Sequence, residues 1–228
     1  MRKIQLVLVA LIVLILSAFK ADHVITIYMI GDSTMSNKPL EGNNQERGWG
    51  HVLGSFFTED VRVENHAMNG RSSKSFIDEG RWETVVNKIR PGDYVFIQFG
   101  HNDEKPQPER HTDPGTTFDE NLRKFVRETR AKGGIPVLFN SIVRRNFGVN
   151  PDAVAADDIR PEKDEAVVEG DTLIDTHGKY LESPRNVAKE MDVCFIDLNQ
   201  ATKKLVESYG VEGSKKLFMW IPADTYAA

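Results

Sequence analysis

Only one cysteine occurs in the 228 residues, so no internal disulfide can brace this chain. Cys194 lies in the strand-like stretch Val193-Cys194-Phe195-Ile196-Asp197, which predicts a buried bystander, since a nucleophilic thiol needs exposure and an electropositive setting. Positive charge is also scarce: 29 Lys and Arg stand against 34 Asp and Glu, for a net charge of -5. A nucleic-acid partner requires a basic face, so none is expected. No pair of histidines has ligand spacing with a matching carboxylate, so no metal is expected, and nothing calls for a cofactor. Internal repeats and low-complexity tracts are absent. The long apolar run is Val7 to Leu16, too short for a comfortable membrane span.

That run has flanks of its own. Arg2 and Lys3 precede it, and Ser17-Ala18-Phe19-Lys20-Ala21 follows. This is the charged head, apolar core and small-residue exit of a secretory signal. Cleavage after Ala18 or after Ala21 is expected, delivering the protein to the periplasm or the exterior with no stable membrane association. No cysteine stands near the exit to take a lipid. Removing residues 1–21 takes away Arg2, Lys3 and Lys20 and moves the net charge from -5 to -8. The remainder, residues 22–228, is long enough for one α/β domain with a buried core.

Apolar runs alternate with helical patterns along this domain. Strands are expected at Val24–Ile30, Val61–Asn65, Tyr94–Phe99, Ile135–Asn140 and Val193–Leu198, with the third the most apolar and central. Between them, helical patterns cover Trp49–Phe57, Ser73–Ile89, Phe118–Ala131, Tyr180–Met191 and Ala201–Tyr209. Thr117 reads as an N-cap with Glu120 three residues on. Such alternation predicts a three-layer α/β/α sandwich on a flavodoxin-like, doubly wound parallel sheet of about five strands. Arg144 to Thr172 forms a long acidic loop, too long for a mere connector, and reads as a functional wall or an insertion.

Three strand ends carry the chemistry. The first strand runs into Gly31-Asp32-Ser33-Thr34, the second into Asn69-Gly70-Arg71-Ser72, and the third into Gly100-His101-Asn102-Asp103. Open α/β sheets keep their reactive groups at the carboxyl edge. Ester hydrolysis needs a hydroxyl nucleophile, a base and donors facing the developing oxyanion. Ser33 supplies the hydroxyl; its own N–H, the Gly70 N–H and the Asn102 amide supply the donors. Taken singly, Ser33 reads as a helix N-cap or turn serine and Asn102 as an Asx-turn; their coordination at three strand ends favours chemistry.

These blocks resemble the first three sequence blocks of the SGNH (GDSL-type) hydrolases, and more closely their rhamnogalacturonan acetylesterase branch. Ile27-Tyr28-Met29-Ile30-Gly31-Asp32-Ser33-Thr34-Met35, Gly48-Trp49-Gly50, Gln98-Phe99-Gly100-His101-Asn102-Asp103 and Asp175-Thr176-His177-Gly178-Lys179-Tyr180 carry the likeness from about Val24 to Ile221. The resemblance implies Ser33 as nucleophile and Gly70 and Asn102 as oxyanion donors. It also implies a base histidine and its aspartate in an Asp-x-x-His block after Met219-Trp220-Ile221-Pro222, where this sequence has Asp224-Thr225-Tyr226-Ala227. Weak or absent activity of these 228 residues is therefore expected, either from a truncated chain lacking the C-terminal helix and catalytic block or from a pseudoenzyme.

His177, two residues after Asp175, is the candidate to replace the missing base, against a plain helix start; His51, His66 and His111 have no recognisable partners. Asp32, Arg71, His101 and Arg144 are candidate substrate contacts. With Lys74, Arg81, Lys105, Arg110 and Arg145, the arginines fit an acetylated acidic polysaccharide of the pectic kind, because arginine pairs carboxylates bidentately; taken one at a time, each reads as a solvated surface charge. Trp49 and Trp82 read as core residues or as platforms for sugar rings. The resemblance therefore points to an esterase removing acetyl groups from pectin. A lipase or thioesterase on the same scaffold and a non-catalytic carbohydrate-binding relic are the alternatives.

Overall fold

The structure is a computed structural model that describes residues 24–41, 44–147 and 173–218. Five parallel strands lie in the order β2-β1-β3-β4-β5: β1 Ile25–Gly31, β2 Val61–Asn65, β3 Tyr94–Gln98, β4 Ile135–Phe139 and β5 Cys194–Ile196. The order reverses between β1 and β3, which pair from Ile27 opposite Tyr94 to Gly31 opposite Gln98. That reversal is where open α/β sheets form a crevice. The expected fold class holds.

Period-two alternation along β1 sends Tyr28 and Ile30 to one face and Ile27 and Met29 to the other. The first face is closed by helices: α1 Ser73–Asp78, α2 Arg81–Val86, α3 Thr117–Ala131 and α4 Glu182–Met191. In α3, Phe118, Leu122 and Phe125 recur at helical spacing and are fully buried. Phe125 stacks on Phe99 of the β3 exit at 5.5 Å and meets the Trp82 ring edge-on at 5.0 Å. Trp82 also donates to Glu128 at 2.6 Å, so it is a core residue.

Among the described residues, the opposite face is thinly covered. Ile27, Met29, Met35 and Ala67 pack there with Trp49 and Leu53, which come from two short 3-10 turns, Trp49–His51 and Leu53–Phe56. This corrects the helix expected over Trp49–Phe57, whose Val52, Phe56 and Phe57 are exposed. Glycine is the cause. A Cβ on Gly50 would lie 2.5 Å from the Met35 carbonyl, so the segment presses its backbone against the turn beyond β1.

Cys194, expected to be buried, is exposed. It sits with Ile196 on this open face of the edge strand β5, while Phe195 points to the helical side. The Ser73–Ile89 helical stretch is two helices, parted at Gly80 with φ 69°. The α3 N-cap is Thr116, not Thr117, whose hydroxyl accepts the Asp113 N–H at 2.7 Å. The last α-helix among the described residues, α5 Leu198–Gly213, starts earlier than its apolar pattern because Asp197 caps it through the Gln200 N–H. It packs Val206 against Val143, Phe147 and Leu173. The expected signal segment, residues 1–21, and most of the acidic loop, residues 148–172, lie outside the described residues.

Candidate functional site

Hydrogen bonds tie the three strand exits together. Pairing of β1 with β2 continues beyond the sheet, with His66 N–H on the Met29 carbonyl at 2.8 Å and Met68 N–H on the Gly31 carbonyl at 3.0 Å. Gly31 has no room for a side chain, since a Cβ would lie 2.6 Å from the Gln98 carbonyl. Past it, Asp32 turns the chain: its Oδ1 accepts Thr34 N–H at 2.8 Å and the Thr34 hydroxyl at 2.7 Å. Gln98 Nε2 donates to Thr34 Oγ1 at 2.8 Å, and Trp49 Nε1 donates to Gln98 Oε1 at 2.5 Å. The Trp49 ring lies 5.7 Å from that of Phe139. Trp49 therefore braces the Ser33 turn and is not a platform for sugar.

Ser33 is half-buried at the top of this turn. Its hydroxyl and its N–H make no hydrogen bond among the described residues. The Ser33 carbonyl accepts the Ser36 hydroxyl at 3.3 Å, and that hydroxyl reaches Asn69 Oδ1 at 2.6 Å, one residue before Gly70. Gly70 has φ +75°, a backbone region costly for other residues, and a Cβ there would point into open space. The Gly70 N–H is also without a partner among the described residues. Asn102, buried, donates one amide hydrogen to the Arg71 carbonyl at 3.1 Å, and the second has no partner among the described residues. That carbonyl acceptor identifies which atom of the amide is nitrogen. Ser33, Gly70 and Asn102 thus stand on one continuous hydrogen-bonded path. A pocket of about 390 Å³ opens at Gly70, lined also by Arg71, Ser75, Asp78, Glu79, Glu109 and Arg110; Ser33 and Asn102 are not part of its lining.

Beneath these exits, Asp103 is the fastening point. Its buried carboxylate accepts Ser73 N–H at 3.0 Å, the Ser73 hydroxyl at 2.5 Å, the Thr112 hydroxyl at 2.9 Å and Gly100 N–H at 3.1 Å. The start of α1 and the loops after β3 meet there.

Two of the expected substrate contacts are out of reach of solvent. Asp32 is 0% exposed and His101 6%. Burial raises the Asp32 carboxyl above its ordinary pKa, against the opposing pull of the Thr34 hydrogen bonds and of nearby His177 and Arg144. Burial, with nearby His177 and Arg144, holds the His101 imidazole well below its ordinary value. His101 meets the His177 ring edge-on at 4.5 Å. Arg144 is committed to the interior as well, bound to Glu104 and, at 3.2 Å, to Thr176 Oγ1. Arg71 remains half-buried on the pocket wall, with its guanidinium held by Glu79 at 3.0 Å.

His177 is not placed to replace a base. It is 3% exposed, with Nδ1 3.0 Å from Glu104 Oε2 and Nε2 3.1 Å from the Ile142 carbonyl. Asp175 meets its backbone rather than its ring, taking His177 N–H at 3.0 Å in the helix-start arrangement. The other histidines have partners that spacing did not reveal: His51 Nδ1 takes the Lys38 N–H, His66 meets Glu64, and His111 meets the Lys105 carbonyl. No histidine among the described residues hydrogen-bonds Ser33.

Glu104 and Lys38 went unremarked in the sequence, and Gln98 was noted only in the stretch that carries the third block, with no role given to it. Gln98 and Glu104 flank the third block and were findable from that position; Lys38 sits in an aperiodic loop that carries no signal.

The sequence matches the GDSL-like Lipase/Acylhydrolase family over residues 29–210. It is 40% identical over 196 residues to the rhamnogalacturonan acetylesterase RhgT of Bacillus subtilis, covering 86% of this chain and 74% of that protein. A second Bacillus subtilis protein, the probable rhamnogalacturonan acetylesterase YesY, is 32% identical over 200 residues, covering 87% and 80%. Among solved structures, protein YxiM of Bacillus subtilis superposes with a TM-score of 0.69 at 27% identity, over 86% of this chain and 49% of that one. The chain thus spans about half the length of that structure.

Proposed function

The chain belongs to the GDSL-like lipase/acylhydrolase family of ester hydrolases, and from that premise we propose that it is a carbohydrate acetylesterase with Ser33 as its nucleophile, acting on an acetylated pectic polysaccharide. The observation that carries this reading is the set of unclaimed groups at the strand exits: the Ser33 hydroxyl, the Ser33 and Gly70 N–H groups and one Asn102 amide hydrogen. Unpartnered donors grouped by a rigid scaffold are what a developing oxyanion requires, because they need no reorganisation during reaction.

In this reading Ser33 Oγ attacks the acetyl carbonyl carbon, and the carbonyl oxygen takes the negative charge among the three donors. Collapse breaks the ester C–O bond and releases the sugar hydroxyl, which takes up the proton; water then cleaves the acetyl-serine. The base carrying these protons is none of the described histidines: His51, His66, His111 and His177 are hydrogen-bonded elsewhere, and His101 is buried against the His177 ring. Weak turnover of these 228 residues is the corresponding expectation. The relatives' substrates support the polysaccharide assignment. The rim is mixed in charge, with Arg71 and Arg110 facing Asp78, Glu79 and Glu109. We further propose that residues 1–21 direct export, which places the activity outside the cytoplasm, where pectin is met.

Acetate release from acetylated rhamnogalacturonan and from 4-nitrophenyl acetate, measured for the wild type and for Ser33→Ala, is the test. Serine loss costs on the order of 10⁶ in turnover in an intact protease triad and much less where the base is already missing, so Ser33→Ala is expected to remove whatever serine-dependent hydrolysis the wild type shows. Activity surviving that change overturns the nucleophile assignment. A preference for long acyl chains over acetyl overturns the substrate, and pectin binding without acetate release from any natural form of the protein overturns the enzyme.

A further inference from the structure

Lys38 is the least expected residue near the site. It follows the Ser33 turn, its side chain is 1% exposed, and its ammonium lies 2.6 Å from Glu46 Oε1 and 2.6 Å from Asn69 Oδ1. Lysine is almost never buried this fully without a partner that requires it. The Glu46 carboxylate does not require it, being 45% exposed and solvated. Asn69 is a different case. Its amide oxygen takes a second donor, the Ser36 hydroxyl at 2.6 Å, so two groups from the loop after β1 converge on one atom from the loop after β2.

Asn69 shares a peptide plane with Gly70. In a trans peptide the carbonyl and the N–H point in opposite directions, and no cis bond is present among the described residues. The Asn69 carbonyl is held by Arg71 Nη1 at 2.9 Å, and Arg71 by Glu79. With its carbonyl pinned by Arg71 and its side chain pinned by Lys38 and Ser36, Asn69 leaves the Gly70 N–H a single direction. We propose that Lys38 is a positioning residue: it clamps Asn69 so that the Gly70 N–H is aimed before substrate arrives. This assignment rests on the esterase reading of Ser33 and Gly70. It also gives Arg71 a role in shaping the turn rather than in touching substrate.

Two measurements on Lys38→Met test the clamp. Its folding is not in doubt on electrostatic grounds, because the change leaves only a solvated carboxylate behind. Amide NMR relaxation of the 228-residue protein is expected to show Gly70 gaining sub-nanosecond mobility while β1 and β3 amides stay rigid. Steady-state hydrolysis of 4-nitrophenyl acetate is expected to lose about tenfold or more in kcat, with KM within about twofold, as befits a misaimed oxyanion donor. In an Asn69→Ala background, adding Lys38→Met is expected to cost nothing further. Gly70 as rigid in Lys38→Met as in the wild type overturns the proposal, as do additive losses in the double variant. Should Lys38→Met fold poorly, Lys38→Gln, too short to reach Asn69 but polar, is judged by the same Gly70 signal. The NMR result stands whether or not Ser33→Ala abolishes hydrolysis, so failure of the clamp and failure of the esterase reading are told apart.

Discussion

Gly48 and Gly54 lie six residues apart in one segment, and the packing around them could hardly differ more. A Cβ on Gly48 would sit 2.2 Å from the Ser36 carbonyl and 2.6 Å from the Met35 carbonyl carbon, backbone atoms that cannot step aside. On Gly54 the nearest atom would be Val63 Cβ at 3.8 Å, an ordinary contact. Gly48→Ala is therefore expected to destabilise by about 2 kcal/mol or more, as overpacking does, and to lower Ser33-dependent hydrolysis by shifting the turn. Gly54→Ala should stay within about 0.5 kcal/mol of wild type. Urea unfolding of the two variants side by side checks the contrast. The family resemblance singled out Gly48-Trp49-Gly50, but the reason, a backbone pressed against the nucleophile turn, is tertiary.

At the scale of elements, α5 shows how one carboxylate can join three pieces of chain. Asp197 Oδ1 caps the helix through Gln200 N–H at 3.0 Å and accepts Asn140 Nδ2 from the end of β4 at 2.9 Å, while Oδ2 meets Arg185 of α4. Partial burial pushes its pKa up, but the hydrogen bonds from Asn140 and Gln200 and the Arg185 charge outweigh that and hold it below the ordinary value. A carboxyl with a lowered native pKa stabilises the fold above its unfolded pKa and loses that contribution as pH falls through the native one. Asp197→Ala is accordingly expected to cost about 1 kcal/mol at neutral pH, the usual worth of an N-cap. The gap to wild type should close as the pH drops below about 4. Thermal unfolding of both proteins from neutral pH down to acid measures it, and a constant gap would deny the carboxylate its role.

The same scale separates legible elements from illegible ones. The five strands and α3 were readable because their burial is periodic and local patterning suffices to specify it. The Trp49–Phe57 segment has helical spacing of apolar residues, yet Val52 and Phe56 are 51% and 77% exposed. Its shape follows from contact with the β1 exit, to which propensity is blind.

For the molecule as a whole, the two faces of the sheet are unequal. Helices seal the face bearing Tyr28, Ile30, Val95 and Ile97, whereas among the described residues the face bearing Ile27, Met29 and Phe96 is closed by 3-10 turns only in part. Cys194 lies on this second face, which is why a cysteine flanked by apolar residues in an edge strand is exposed. Native protein is expected to react with a disulfide reagent without denaturant, at a rate within about tenfold of the unfolded chain, as for an accessible thiol. A thiol that reacts only in urea would mean this face is covered in solution.

The amino-acid sequence by itself determined the order of strands and helices, the apolar faces and the three blocks that end in Ser33, Gly70 and Asn102, because each is written in local spacing and residue type. Tertiary structure alone decided which polar groups were spent. It sent Asp32, His101 and Arg144 inward, occupied both nitrogens of His177, and brought Lys38 onto Asn69 from 31 residues away. Charge and hydrogen-bonding capacity belong to a residue, but whether they are free for chemistry depends on partners that only folding supplies.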